Sequence, residues 1–206
     1  MNTKQKQLCF GILLMCVVAL NATRDFVSEL TVSNGQRWGN WGAEEFCPEG
    51  QFAYAYSMKI EDKQGRGDDT SLNGIRLYCR TPTAFSAINS IGITSSVGPW
   101  GDWTEVTRCG LTGEFLTAFK LQVESPQGDG DDTAANFVKF QCRGSSKKAY
   151  EMSVSPGYGF WGDFGFWSAA CPDGSAICGM RSRVEERQGS GDDTALNDVL
   201  FYCCTF

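Results

Sequence analysis

Three stretches of this chain alternate apolar and polar residues in the same phase. Ile75, Leu77 and Cys79 fall on one side of the first, with Arg76 and Tyr78 on the other. Val138, Phe140 and Cys142 oppose Lys139 and Gln141 in the second, and Val199, Phe201 and Cys203 repeat the apolar face in the third. A period of two, carried by β-branched and aromatic residues, predicts strands with one buried face. Residues 57–61 and 118–124 also read as extended. No long helical stripe follows the first twenty or so residues, so the chain is expected to be all-β.

The alternating stretches belong to a larger repeat. Gln64-Gly65-Arg66-Gly67-Asp68-Asp69-Thr70 returns as residues 127–133 and as 188–194, so the first Asp recurs after 63 and then 61 residues. Glu61, Glu124 and Glu185 each stand three residues before the Gln, and Asn73, Asn136 and Asn197 five residues after the first Asp. Upstream lie Trp38-Gly39-Asn40-Trp41, Trp100-Gly101-Asp102-Trp103 and Trp161-Gly162-Asp163-Phe164. Three copies in one register predict three equivalent units, about 26–85, 86–148 and 149–206. Glycine supplies positive φ to the turn and Asp supplies side-chain bonds to its backbone. Asp68, Asp69, Asp131, Asp132, Asp192 and Asp193 are therefore expected to be turn-builders, with a Ca²⁺ site as the weaker alternative, because EF-hand spacing and its closing Glu are missing.

The N-terminus changes the compartment. Lys4 and Lys6 precede an apolar run from Leu8 to Leu20, 13 residues long, followed by small residues. That is a secretion signal over 1–22, with cleavage after Ala19 or Ala22, and is too short to span a bilayer. The sequon at Asn21 is a glycan acceptor if cleavage precedes it. The remaining 23–206 fits one domain, secreted and extracellular, with no membrane association. The full chain carries a net charge of −6, and losing Lys4 and Lys6 leaves 16 basic against 24 acidic residues, or −8. Nucleic acid is disfavoured as a partner.

Ten cysteines occur, and Cys9 and Cys16 leave with the signal. An even number then remains in a secreted chain, which implies disulfides. Equal placement relative to the repeated turn pairs Cys47 with Cys79, Cys109 with Cys142, and Cys171 with Cys203, leaving Cys178 for Cys204. The chain has no His, and the cysteine spacing is wide, so no metal site or cofactor is expected.

The Trp-Gly-x-Trp element, the Gly-Asp-Asp-Thr-Ala-Leu-Asn stretch at 191–197, the threefold period and the eight cysteines resemble the vitelline membrane outer layer protein I family. The resemblance covers essentially the whole mature chain. It implies a β-prism (β-prism I) of three Greek-key four-stranded sheets whose strands run along a pseudo-threefold axis. The residue pattern alone is equally compatible with a trefoil-type barrel. The resemblance also implies an egg-coat component of the extracellular matrix and a weak transferase-like activity on N-acetylglucosamine oligomers. The chain departs from the family pattern at Phe164, where a second Trp is expected, and at Ala135, where the other copies have Leu72 and Leu196.

Without His, and with the thiols consumed, carboxylates are the acid/base candidates, which suits sugar chemistry. They are Glu61, Glu124, Glu185 and the unrepeated Glu114. A fold needs its turn three times and an active site needs its acid once, so repetition favours structural roles. For glycan contact the third copy has the aromatic excess: Tyr158, Trp161, Phe164 and Trp167, with Phe160 and Phe166 between them. The expected function is a structural matrix protein, monomeric. Binding of N-acetylglucosamine oligosaccharides or matrix glycoproteins comes second, and glycosyl transfer third.

Overall fold

The computed structural model describes residues 24–62, 70–84, 91–125, 134–144, 148–152, 161–187 and 194–206. They contain strands and no helix: β1 (Ser28–Leu30), β2 (Asn40–Trp41), β3 (Glu45–Phe46), β4 (Phe52–Ile60), β5 (Leu72–Arg80), β6 (Ile91–Ile93) and β7 (Asp102–Trp103). The chain continues through β8 (Thr107–Arg108), β9 (Phe115–Val123), β10 (Ala135–Arg143), β11 (Tyr150–Glu151), β12 (Asp163–Phe164), β13 (Ser175–Val184) and β14 (Leu196–Thr205).

Three antiparallel sheets form, ordered β6-β5-β4-β7, β11-β10-β9-β12 and β1-β14-β13-β2, with β8 also pairing β4 and β3 also pairing β13. Each is built on one long central pair flanking one copy of the repeated turn. The six residues Asp68, Asp69, Asp131, Asp132, Asp192 and Asp193 lie outside the described residues, as does Tyr158. Each central pair carries two register shifts near its ends, at Ala53/Ala55 and Lys59/Ile60 in the first sheet. They recur at Ala135/Phe137 and Gln141/Cys142 in the second and at Ile177/Gly179 and Arg183/Val184 in the third. Bulges bend a strand and increase its twist, which lets three sheets curl around one core.

The predicted alternation is observed. Ile75, Leu77, Val138, Phe140, Val199 and Phe201 are fully buried in a single cluster fed by all three sheets. Equivalent cross-strand pairs form layers: Tyr56 with Leu77, Phe119 with Phe140, and Met180 with Phe201. Phe140 meets Tyr56 at 4.7 Å and Phe201 at 5.1 Å between ring centroids, so rings of different sheets touch at the centre. The next layer pairs Met58 with Ile75 and Leu121 with Val138, but the third sheet places Ser182 opposite Val199. Ser182 is buried and its hydroxyl donates to Ser96 O at 2.6 Å, which satisfies it at a sheet junction.

A sheet is not the same thing as a sequence repeat. The Trp-Gly element of each copy pairs with the preceding copy's central strand: β7 with β4, β12 with β9, and β2 with β13. The third sheet is therefore finished by the N-terminal segment. Gly101 shows why the element carries glycine. Its φ is +74, and a Cβ there would lie 2.2 Å from the Ile60 backbone. Gly39 and Gly162 are held the same way against Val184 and Val123, so the repeat conserves a backbone contact.

The four expected disulfides are all present. The three equivalent ones join different sheets. Cys47 N donates to Cys178 O in the third sheet, and its sulfur bonds Cys79 in the first. Cys109 N donates to Tyr54 O of the first sheet and its sulfur bonds Cys142 of the second. Cys171 N donates to Thr117 O of the second and its sulfur bonds Cys203 of the third. Every sheet junction is thus fastened once, and the three sheets close into a prism.

Candidate functional site

The repeated glutamates sit at the ends of β4, β9 and β13, beside the turn copies. Thr70 donates to Glu61 Oε2 through Oγ1 at 2.6 Å and through its backbone N at 3.3 Å. Asn73 Nδ2 donates to Thr70 Oγ1 at 2.6 Å and to Ser71 O at 3.3 Å. The third copy repeats the set: Thr194 Oγ1 to Glu185 Oε2 at 2.6 Å, and Asn197 Nδ2 to Thr194 Oγ1 at 2.7 Å and Ala195 O at 3.1 Å. Ser71 and Ala195 have φ of 50 and 51, a left-handed conformation costly for residues with a Cβ. The Glu-Thr-Asn chain holds that conformation. Glu124, buried, donates from its N to Ala134 O at 3.0 Å, matching Glu61 N to Ser71 O. Asn73 also accepts from Trp100 N at 3.1 Å, tying the turn base to the next Trp-Gly element.

This geometry gives Glu61 and Glu185 structural work. Glu61→Gln keeps the shape but weakens two charge-assisted bonds. It is expected to lower stability by about 1–2 kcal/mol in a urea melt, and Glu185→Gln by a similar amount. A loss of sugar-directed activity at unchanged stability would instead make that residue an acid catalyst.

Glu114 lies in the loop between β8 and β9. Its Oε2 accepts from Leu111 N at 2.9 Å and from the Tyr150 hydroxyl at 2.5 Å, and that hydroxyl accepts from Gly110 N at 2.8 Å. It caps a loop and pins β11 to it. Burial and the Glu114 bond push the Tyr150 pKa up.

The aromatic candidates of the third copy lie on the outer face of the second sheet. Phe164 covers Lys120 and Lys139 at 5.0 and 4.8 Å from the ring centre and meets Phe137 in a T-shaped contact. Trp167 covers Lys120 at 4.6 Å. Both lysines pair with Glu151, at 3.4 and 2.8 Å. The Lys139 bond leads in holding the Glu151 carboxyl below its usual pKa. Trp161 accepts from Gln122 Nε2 through its carbonyl at 3.0 Å. The other sheets repeat the theme: Trp103 covers Arg76 at 4.0 Å, and Trp41 covers Arg183 at 5.0 Å. The second aromatic of each Trp-Gly element is a lid over cations, and Phe164 takes the place that Trp holds in the other two. Phe166, beside them, is 88% exposed.

Sequence reasoning missed three further features. The first is Asp198, on the outer face of β14 opposite Arg183. Burial raises its pKa from 3.8 to about 6, against the Val199 N–H bond and Arg183, which lower it. The folded state keeps this proton to about pH 6 whereas the unfolded chain releases it near 3.8. Folding is therefore penalised as pH rises through that window, and the penalty persists above it. Asp198→Asn is expected to stabilise the protein at pH 7–8 by roughly 1 kcal/mol, discounted for partial exposure, and to leave it unchanged at pH 3. Thermal melts at the two pH values check this.

The second is a set of arginines at the opposite end of the sheets from the turns. Arg80 Nη2 donates to Leu111 O and Glu114 O, and Arg143 Nη2 to Cys171 O and Pro172 O. Each follows its copy's closing Cys, but the third copy has Cys204 there, engaged with Cys178. Arg24, from the N-terminal segment, supplies the missing guanidinium: its Nη1 donates to Gln51 O at 2.6 Å and Pro48 O at 3.2 Å. The signal was legible as Cys-Arg, Cys-Arg, Cys-Cys.

The third is a pair of cavities. One, of about 280 Å³, lies between β4 and β7 beside Glu61, Asp62, Asp102 and Trp103. The other, of about 320 Å³, lies at the arginine end, lined by Phe115, Phe206, Arg143, Asp173 and Ser175 with Pro82 and three glycines. Among the described residues no group of His, Cys, Asp and Glu is placed to hold a metal ion.

Three curled antiparallel sheets around one core define a β-prism. Comparison with solved structures agrees. The agglutinin of Calystegia sepium superposes with a TM-score of 0.51 at 15% identity, over 89% of this chain and 100% of that one. A single-chain recombinant jacalin superposes with 0.51 at 10% identity, over 90% and 98%. At such identities the likeness is one of fold. The sequence comparisons are narrower. The family model of vitelline membrane outer layer protein I matches residues 28–206. A human vitelline membrane outer layer protein 1 homolog is 43% identical over 180 residues, 87% of this chain and 84% of the relative. The mouse homolog is 40% identical over 198 residues, 96% and 92%. The chain belongs to the vitelline membrane outer layer protein I family.

Proposed function

We propose that this protein is an extracellular structural component of a coat or matrix, exported by a leader that ends at Ala19 or Ala22. The observation that carries the reading is the closure of the prism by one disulfide at every sheet junction. Such staples persist in oxidising compartments and suit a protein whose task is to endure. Expression of the full chain in a secreting cell tests it. The product should reach the medium, begin at Leu20 or Thr23, resist protease until reduced, and partition with a glycoprotein matrix. Retention in the cell, or a product that stays free of matrix, would overturn the reading.

A second reading, glycan recognition, is favoured by the open cavity of about 320 Å³ at the arginine end, where aromatic rings meet a polar rim. N-acetylglucosamine oligosaccharides are the ligands to try first. Glycosyl transfer would need two carboxylates beside the bound sugar. Glu61 and Glu185 are engaged in turn bases and Glu114 in a loop cap, which favours binding over catalysis.

A further inference from the structure

We infer that the cavity at the arginine end is a single-sugar site, created where the threefold symmetry fails and completed by Phe206. The inference rests on the glycan reading and specifies its place, stoichiometry and size.

The first two sheets place Phe52 opposite Arg80 and Phe115 opposite Arg143 at this end. The third places Ala176 opposite Cys204. A ring and a guanidinium are thus missing from one of three equivalent positions. Arg24 replaces the guanidinium. Phe206 partly replaces the ring: its centroid lies 4.7 Å from Phe52 and 5.5 Å from Phe115, and its N donates to Gly174 O at 3.0 Å. The replacement is incomplete, because Phe206 remains 60% exposed and the cavity opens beside it.

The lining has the chemistry of a pyranose site. Phe206 is the exposed ring of the lining and can face the apolar C–H side of a sugar, with Phe115 buried behind it. Asp173, 64% exposed and 3.6 Å from Arg143 Nη1, stands at the rim as an acceptor for hydroxyls. Gly113 and Gly174 are positive-φ turn glycines, as is Gly50 in the first unit, and a Cβ on any of them would meet nothing within 4 Å, so the backbone beside the cavity is open. The open volume of about 320 Å³ is at the small end of ligand pockets, on the scale of one sugar ring rather than a long oligosaccharide. Because the other two positions are filled by Phe52 and Phe115, one molecule should bind one sugar.

The test is amide chemical-shift mapping on the isotope-labelled secreted protein, titrated separately with N-acetylglucosamine, its trimer, and mannose. Saturable shifts at Gly113, Gly144 and Gly174, with one-to-one stoichiometry, are the expected result. Phe206→Ala should weaken binding about tenfold and Asp173→Ala about threefold or more. Asp173→Ala is exposed and should keep the wild-type melting temperature, so its loss of binding cannot be a folding defect. Shifts centred on Gly162 and Gly165, beside Trp167, would leave glycan binding intact and overturn this placement. Unchanged affinity in both variants would do the same. No shift with any sugar at about 10 mM would overturn the placement and the glycan reading together.

Discussion

Phe140→Ala lowers the free energy of unfolding by about 3–5 kcal/mol. Phe140 is fully buried and touches rings contributed by all three sheets: Phe119 on its own sheet at 6.4 Å, Tyr56 of the first at 4.7 Å, and Phe201 of the third at 5.1 Å. Truncation removes the apolar surface and leaves a cavity that no single sheet can collapse to fill, since each is pinned at its junctions by disulfides. Denaturant melts of the oxidised protein give the number. A loss below about 1 kcal/mol would mean that this face is not the shared core.

Removing one junction staple, as Cys109→Ala with Cys142→Ala, costs about 2–4 kcal/mol. The bridge spans 33 residues, and closing such a loop restricts the unfolded chain by roughly 3–4 kcal/mol in the chain-entropy account. The cost should be shared by the equivalent pairs Cys47/Cys79 and Cys171/Cys203, because each fastens one junction. The same measurement on Cys178 and Cys204 separates two kinds of bridge. That pair joins β13 to β14 within one sheet, already held by a ladder of hydrogen bonds, so its removal should leave the junctions closed. Non-reducing peptide maps with limited proteolysis report which junction opens. Equal protease sensitivity in all four double variants would contradict the distinction.

Much of this architecture was legible in the chain. The phase of Ile75-Leu77-Cys79 and its two echoes named the inward faces correctly. Alternation is local, and burial of one face is the way to satisfy it. The disulfide partners followed from position, because equivalent residues in equivalent units must meet equivalent neighbours. What position could not reveal was that each of the three equivalent bridges joins two sheets. That depends on the Trp-Gly element crossing to the preceding unit, a long-range pairing invisible to a pattern read along one strand. The candidate site divides in the same way. Glu61 and Glu185 were acid candidates whose repetition favoured structural roles, and they are bonded to Thr70 and Thr194, nine residues away. Phe164 and Trp167, the glycan-contact candidates, lie over Lys120, which reaches them from another strand, a contact the pattern did not show.

By itself the sequence determined the all-β class, the threefold repeat, the buried faces and the cysteine pairing. These rest on periodicity and local bonding, which are properties of neighbours in the chain. Only the tertiary structure decided that the sheets are completed across unit boundaries, that Asp198 is half-buried, and that Arg24 and Phe206 cap the end of the prism. Arg24 and Phe206 stand 182 residues apart, and nothing local records that both reach Phe52. They come together because the third unit lacks the ring and the guanidinium its counterparts carry. A closed core cannot leave that position empty without exposing the backbone groups and apolar surface that the other two positions cover.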